Sequence, residues 1–584
     1  MKSFFKIFLA SFLALVVLCV IIFFILMGVI GGLTAEEKER TGGQAVLVVD
    51  LSRNYPEIGV ENPLARFTGK DGENMPSLYD VVRMIKYAKT DTAVKGIYIK
   101  CASNANSGGS SQEIRNAIID FKRSGKFVYA YGDVISQSGY SVGNIADKIY
   151  CNPKGGVDWR GYAIQLAFVK GLLQKLEIEP QIFYAGKFKS ATEPFRETQM
   201  TDANRLQLSV LIGDMYGRLL QQTAEARKLD TATLHQYANE YRIQYAADAV
   251  KYGLIDGLKY DDEVREEIAK KLGGVKLDKL NFIGLPKYAK AIDFRRDGKD
   301  KIAVIFAQGD IVDGKGDRDM IGSVTYRDLI RRARLDKNIK AIVIRINSGG
   351  GSALASENIW RELTLTRKDK PVVVSFGDVA ASGAYYLSCN ADSIFAQTNT
   401  ITGSIGVFTL LPNMQKFFNN KLGITFDGVK TASQADMINA TKPLTPAQRI
   451  FLQSSVDSVY MTFKGRVADG RKKDINYIDS IGQGRVWSGS RALELGLVDR
   501  LGGLEDAIAC AARMAKTSDY RLREYPEPHN VLEMIFGGYE KDATQSAMQK
   551  ELGEDGMKTY QTIKRVKQMV GVTQARMPFE MTFE

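Results

Sequence analysis

A chain of 584 residues, 45% hydrophobic and 25% charged, has the composition of a globular protein with room for several domains, which excludes wholesale disorder and a polytopic membrane protein. Its net charge of +12 is spread along the sequence with no basic tail, so no nucleic-acid partner is expected. Five cysteines exclude a disulfide scaffold, and two histidines, His235 and His529, sharply limit histidine chemistry and metal sites.

At the N-terminus, Lys2 and Lys6 precede an uncharged run over residues 7–33. As a helix that run is roughly 40 Å long, against a bilayer hydrocarbon core of about 30 Å. A cleavable signal has a shorter apolar core and a small-x-small site. Gly-Gly-Leu-Thr-Ala-Glu is a poor match to such a site, so one retained transmembrane anchor over 7–33 is expected. Glu36, Glu37 and Glu39 follow the run. The positive-inside rule then places the N-terminus in the cytoplasm and the remaining chain outside it.

Three stretches beyond the anchor recur in the same order. DTAVKGIYIK from Asp91 matches DKNIKAIVIR from Asp336, and GDVISQSGYSVGNIAD from Gly132 matches GDVAASGAYYLSCNAD from Gly377, both 245 residues further on. ADAVKYGLIDGL from Ala247 matches SRALELGLVDRL from Ser490, 243 residues further on. Ordered matches at nearly constant spacing mark a duplication of a domain-sized unit. The polar stretch at 294–301 is the natural junction. It separates a first domain over 42–295 from a second over 300–530, followed by a C-terminal extension over 531–584. Within each copy, short β-branched runs such as IAVIFA (302–307), AIVIRI (341–346) and PVVVSF (371–376) alternate with segments of helical periodicity. That alternation predicts an α/β fold with buried parallel strands.

Three segments carry candidate chemistry. AGKFKSATEPF (185–195) holds Lys187 and Lys189, which point the same way if the segment is extended. Most lysines are solvated surface groups, and two lysines alone do not make a site. NSGGGS (347–352) lies between a strand and a helix starting near Ala353; its glycines can turn amides toward one anionic spot, or simply form a tight turn. FGDVAASGAYY (376–386) places Ser382 between Ala381 and Gly383 where a strand meets a helix. There the serine is either a helix cap or an approachable nucleophile.

The duplication sharpens these readings. In the ungapped match Ser382 falls opposite Gln137, and in a looser match Lys189 falls opposite Thr431. Neither copy holds both groups, so one site can draw one group from each. Neither histidine lies in a glycine-rich unit. A lysine that has lost its proton can serve a serine nucleophile in place of histidine. Burial or a nearby cation would have to bring its pKa to roughly 7–8.

GKFKSATEPF (186–195), then NSGGGS, GDVAASGAYY, TITGSIGVF (400–408) and GRVWSGSRALELGLVDRLGG (484–503), in this order along the duplication, resemble the signal peptide peptidase A family in its long tandem form. The resemblance covers nearly the whole chain. It implies a Clp-protease/crotonase-like fold in each half and a membrane-bound serine peptidase with a Ser/Lys dyad. It puts the nucleophile on Ser382, the base on Lys189 rather than Lys187, and the oxyanion-side backbone on Gly350, Gly351 and Gly383. It implies no metal or cofactor. It also implies homo-oligomers, taken as tetramers, at the bacterial inner membrane with the catalytic domains on the periplasmic side. The implied substrates are cleaved signal peptides and other unfolded apolar peptides. Two positions depart from the family pattern: Gly349 stands where proline is usual, and Asp378 where glycine is common. A crotonase-type acyl-CoA enzyme and a non-catalytic membrane scaffold are the alternatives. The extension contains TYQTIKRVKQMV (559–570), which reads as an amphipathic helix.

Overall fold

The computed structural model describes residues 2–34, 39–59, 75–295, 297–317, 319–526 and 569–577, with Gly553, Gly556 and Tyr560. The β-branched runs become two sheets. The first holds β1 (Ala45–Asp50), β2 (Val94–Lys100), β3 (Phe127–Ile135), β4 (Lys148–Val157), β6 (Gly257–Leu258) and β7 (Phe282–Gly284), in the order β6-β4-β3-β2-β1-β7 and parallel throughout. The second is built on β8 (Asp300–Gln308), β11 (Ile339–Ser348), β13 (Val372–Ala381), β14 (Ser393–Ala396), β18 (Arg500–Leu501) and β19 (Tyr520–Tyr525). Its spine, β18-β14-β13-β11-β8-β19, repeats the first order strand for strand. Two further strands, β15 (Ile401–Gly403) and β17 (Val486–Ser488), extend it beside β13.

The helices repeat as well. In the first copy α2 (Leu78–Thr90), α5 (Asp202–Arg227) and α6 (Asp261–Lys271) have 13, 26 and 11 residues. In the second, α7 (Ser323–Leu335), α10 (Pro446–Arg471) and α11 (Leu504–Met514) have the same three lengths. Helix α7 buries Tyr326, Leu329, Ile330 and Ala333, one stripe at helical spacing. Between these stand α3 (Gly108–Lys122) and α4 (Gln137–Gly143) in the first copy, α8 (Ala353–Thr366) and α9 (Gly383–Ser388) in the second. Each copy also closes its α4 or α9 helix with the same clasp. Tyr140 donates to the Leu254 carbonyl (2.7 Å), and Tyr385 donates to that of Leu497 (2.8 Å). With helices on both faces, strands such as β8 and β11 are buried along runs of six residues, which is why they read as continuous apolar stretches.

One strand is longer than its apolar run. β13 continues past Phe376 to Ala381, because after a register shift Val379, Ala380 and Ala381 pair with β15. The polar Gly377-Asp378 step is therefore inside the strand.

A third sheet joins the copies. It runs β10 (Met320–Gly322), β9 (Asp310–Val312), β12 (Gly350–Ser352), β20 (Gln574–Arg576), β16 (Val407–Asn413), β5 (Glu179–Ala185). β5 belongs to the first copy and pairs antiparallel with β16 of the second from Ala185↔Val407 to Glu179↔Asn413. A buried ion group fastens the same junction. Arg345 on β11, 1% exposed, donates to Glu57 (2.9 Å) and Glu113 (2.6 Å) of the first copy, and to the Phe376 carbonyl (3.0 Å).

At the N-terminus, α1 (Lys2–Thr34) is one helix of 33 residues. Some of its residues have no described side chain, and among the described residues no helix is long and apolar enough to cross a membrane. Phe4, Phe8, Phe12 and Leu13 are exposed along it. His529 and nearly all of 559–570 lie outside the described residues.

Removing one partner of a buried ion group strands the others without solvation. Arg345→Ala is expected to lower stability by about 3–5 kcal/mol in a denaturant titration. Arg345→Met combined with Glu57→Gln and Glu113→Gln should recover most of that loss.

Candidate active site

Lys189 follows β5. The chain turns at Gly186, where φ is +111°, and the Phe188 amide then donates to the Gln483 carbonyl (2.7 Å). The segment is not extended, so the two lysines part: Lys187 is exposed and Lys189 is buried. Gln207 on α5 holds this turn, donating to Ser190 Oγ (2.8 Å) and the Phe188 carbonyl (3.1 Å) and accepting from the Val486 amide (3.3 Å). Gly484 lies directly against it. A Cβ there would sit 2.7 Å from the Cα and Cβ of Lys189, which is what the first glycine of GRVWSG provides.

Ser382 closes β13 and precedes α9. Its φ of +56° and ψ of −113° are a strained combination for a residue with a side chain, fixed by its amide donating to the Gly403 carbonyl (2.8 Å). The side chain makes no capping bond, so the helix-cap reading fails. Instead Ser382 Oγ lies 2.9 Å from Lys189 Nζ and 3.4 Å from the Gly406 carbonyl. The same Nζ donates to Ser404 Oγ (3.1 Å) and to the Ser404 carbonyl (3.3 Å). All three partners are neutral oxygens, and among the described residues no carboxylate pairs with Lys189. Burial therefore acts unopposed and pushes the ammonium well below its ordinary pKa. Ser404 and Gly406 lie in TITGSIGVF, a stretch for which the sequence alone suggested no side-chain role. Ser404 also has positive φ, +51°, and its amide donates to the Arg485 carbonyl (2.7 Å).

The glycine loop 348–352 borders Ser382. It forms the short strand β12 rather than a free turn, and α8 begins at Ala353 as expected. The Gly350 amide donates to Ser348 Oγ (3.1 Å), while Gly351 and Gly383 lie side by side. Gly349 has room, its nearest neighbour being Met577. Asp378 accepts from the amide (2.8 Å) and hydroxyl (2.8 Å) of Ser110 at the start of α3, and from Asn347 (3.3 Å), adding a second tie between the copies.

Among the described residues the first copy shows no counterpart site. Gln137, opposite Ser382, donates to the Gly161 carbonyl (3.1 Å) and accepts from the amides of Arg160 (3.0 Å) and Gly161 (2.9 Å), so its own loop fills the position. Thr431 is exposed.

A strained serine whose hydroxyl meets a buried lysine amine, at the end of a parallel strand, marks an α/β serine hydrolase. The chain matches the model of peptidase family S49 over residues 120–276 and 364–518, one match in each copy. It is 35% identical over 533 residues to a Protease 4 of Salmonella typhi, which covers 88% of this chain and 86% of that one. A Protease 4 of Haemophilus influenzae is 35% identical over 76% of this chain and 74% of its own. A chloroplastic serine protease SPPA of Arabidopsis thaliana is 33% identical over 77% of this chain and 68% of its own. This protein belongs to peptidase family S49, as a serine peptidase of the long tandem kind.

Ser404→Ala removes one of the oxygens that aim Lys189. Losing a bond of this sort costs about 1 kcal/mol. Labelling of Ser382 by a fluorophosphonate probe should slow about fivefold.

Proposed function

We propose that the chain is a membrane-anchored endopeptidase in which Ser382 is the nucleophile and Lys189 the general base. The observation that carries this reading is the 2.9 Å contact between Lys189 Nζ and Ser382 Oγ in a buried setting with no counter-charge among the described residues. The neutral amine takes the hydroxyl proton as Oγ attacks the peptide carbonyl. The amides of Gly351 and Gly383 then face the developing oxyanion. Lys189 passes its proton to the leaving amine, and water, activated by the same lysine, releases the acyl group. An acyl-CoA enzyme or an inert scaffold has no use for that contact.

Each half is assigned a Clp-protease/crotonase-like fold on its motifs. The substrates are cleaved signal peptides and other unfolded apolar peptides, a reading supported by the family motifs and by the apolar N-terminal helix, which would hold the site at a bilayer. That helix is the anchor over 7–33, with the N-terminus cytoplasmic and the body on the periplasmic side of the inner membrane. Tetramers are supported by the anchor, which concentrates the copies at one surface, and by exposed Ile450 and Phe451 on α10.

Ser382→Ala, Lys189→Ala and Lys189→Arg should each lower peptide turnover by about a thousandfold or more, and the double alanine variant should be no worse. Turnover should rise with pH as Lys189 deprotonates. Because burial lowers the lysine pKa, the midpoint should lie below the free-lysine value of roughly 10.4. Retained activity in Lys189→Arg would refute the base assignment. Alkaline carbonate should release a chain lacking residues 1–38 from membranes and leave the full chain bound; sedimentation of the released form should give a tetramer.

A further inference from the structure

Behind the base lie buried polar residues that take no part in the reaction. Ser190 and Glu193 follow Lys189 in the chain, Asn204 and Gln207 lie on α5, and each is at most 1% exposed. Glu193 is the titratable one among them. Its carboxylate accepts from the Thr201 hydroxyl (2.6 Å), the Asn204 side-chain amide (2.8 Å) and the Thr201 backbone amide (3.3 Å), with Arg196 3.8 Å away. Thr201 is the N-cap of α5 and accepts from the Asn204 backbone amide (3.2 Å). The carboxylate thus stands at the start of a 26-residue helix, where the helix dipole favours a negative charge. An apolar side chain at 193 would leave these donors buried and unmet.

The bonds run on toward the base with a fixed polarity. A carboxylate only accepts, so Asn204 turns its NH2 to Glu193 and its oxygen the other way. That oxygen accepts from Gln207 (3.1 Å). At the far end the Val486 backbone amide only donates, so Gln207 turns its own oxygen there (3.3 Å). Both ends therefore aim the Gln207 NH2 at the turn that carries the base. There it meets the Phe188 carbonyl (3.1 Å) and Ser190 Oγ (2.8 Å), one residue on either side of Lys189.

We propose that Glu193 is a positioning residue for the base: through Asn204 and Gln207 it locks the backbone on both sides of Lys189 and so holds Nζ on Ser382. The proposal rests on Lys189 being that base. Without the carboxylate, Asn204 is free to turn its NH2 toward Gln207, donor against donor, and the clamp on residues 188 and 190 lets go. The acceptor matters here rather than the charge, since burial is what lowers the Lys189 pKa.

The test is the rate at which a fluorophosphonate probe labels Ser382 of the full chain, read against pH, with total label at completion counting folded sites. Glu193→Leu should label about thirtyfold more slowly at an unchanged total, because buried donors lose their acceptor. Its pH midpoint should rise toward the free-lysine value, since a loosened turn lets water reach Lys189. A merely structural role would lower the total and leave the rate and midpoint of each site alone, and that result would overturn the proposal. Glu193→Gln keeps an oxygen for Asn204 and should stay within about threefold of wild type at an unchanged midpoint; a loss as large as that of Glu193→Leu would count against an acceptor role. Asn204→Asp sets carboxylate against carboxylate and should label as slowly as Glu193→Leu. Adding Glu193→Gln, which supplies an NH2 to the new carboxylate, should restore most of the rate. That pair decides the matter where Glu193→Leu does not fold: an Asn204→Asp variant that labels normally, or that Glu193→Gln does not rescue, overturns the proposal. Lys189→Arg is the control. If it labels as fast as wild type, the base assignment falls and the proposal with it; if it is inert while Glu193→Leu labels normally, the positioning role alone is wrong.

Discussion

Everything at the site depends on keeping one lysine amine dry. An ammonium in water holds its proton well above neutral pH; burial among neutral oxygens and packed backbone pushes that of Lys189 well below its ordinary pKa. Achieving this takes contributions from distant parts of the chain. The β5–β16 ladder brings residue 189 to residue 404, Gln207 pins the turn, and the bare Cα of Gly484 lets the backbones touch. The Arg345 group and the Asp378–Ser110 bonds then keep the two copies in that register.

The duplication is close in layout and unequal in use. Strand order and the lengths of three helices repeat, as does the tyrosine clasp on the helix that follows β3 or β13. What differs is a few residues at the strand end. In the first copy a glutamine satisfied by its own loop replaces the hydroxyl, and the residue before α4, Ser136, is an ordinary N-cap with φ of −67°, bonded to the Gly139 amide. In the second copy Ser382 gives up the cap and takes a strained backbone instead. The first copy contributes a lysine and a β-strand, and the second a serine and the loop around it.

Much of this was legible in the residues. The repeat and the parallel strands follow from patterns that burial and periodicity impose locally, whereas Lys189 and Ser382 stood out only as candidates in their segments and took their roles from the family resemblance. Lys187 and Lys189 were harder to tell apart, because an extended segment would treat them alike and only the turn at Gly186 separates them. Ser404 could not be found from its spacing: its carbonyl and hydroxyl both reach the lysine because of a left-handed backbone no local rule requires of a serine. Arg345 reads as one more charge at the end of an apolar strand until Glu57 and Glu113 arrive from the other copy. The pairing of β20 with the glycine loop was equally hidden, since three short residues at 574–576 carry no strand signal of their own. Long-range pairing, not local propensity, decides each of these.

Lys189 and Ser382 are 193 residues apart in sequence, on opposite sides of the junction between the copies. Under the proposed roles, this separation bears on when the enzyme becomes dangerous. A ribosome delivers the lysine first, into a half that has no serine to activate. The nucleophile emerges later, and it has no base until β16 has docked on β5. A translation product that stops short of β16, or a single folded half, therefore lacks a complete pair and cannot hydrolyse a peptide bond by it, so the machinery that makes the chain meets no active fragment until the second copy has begun to fold.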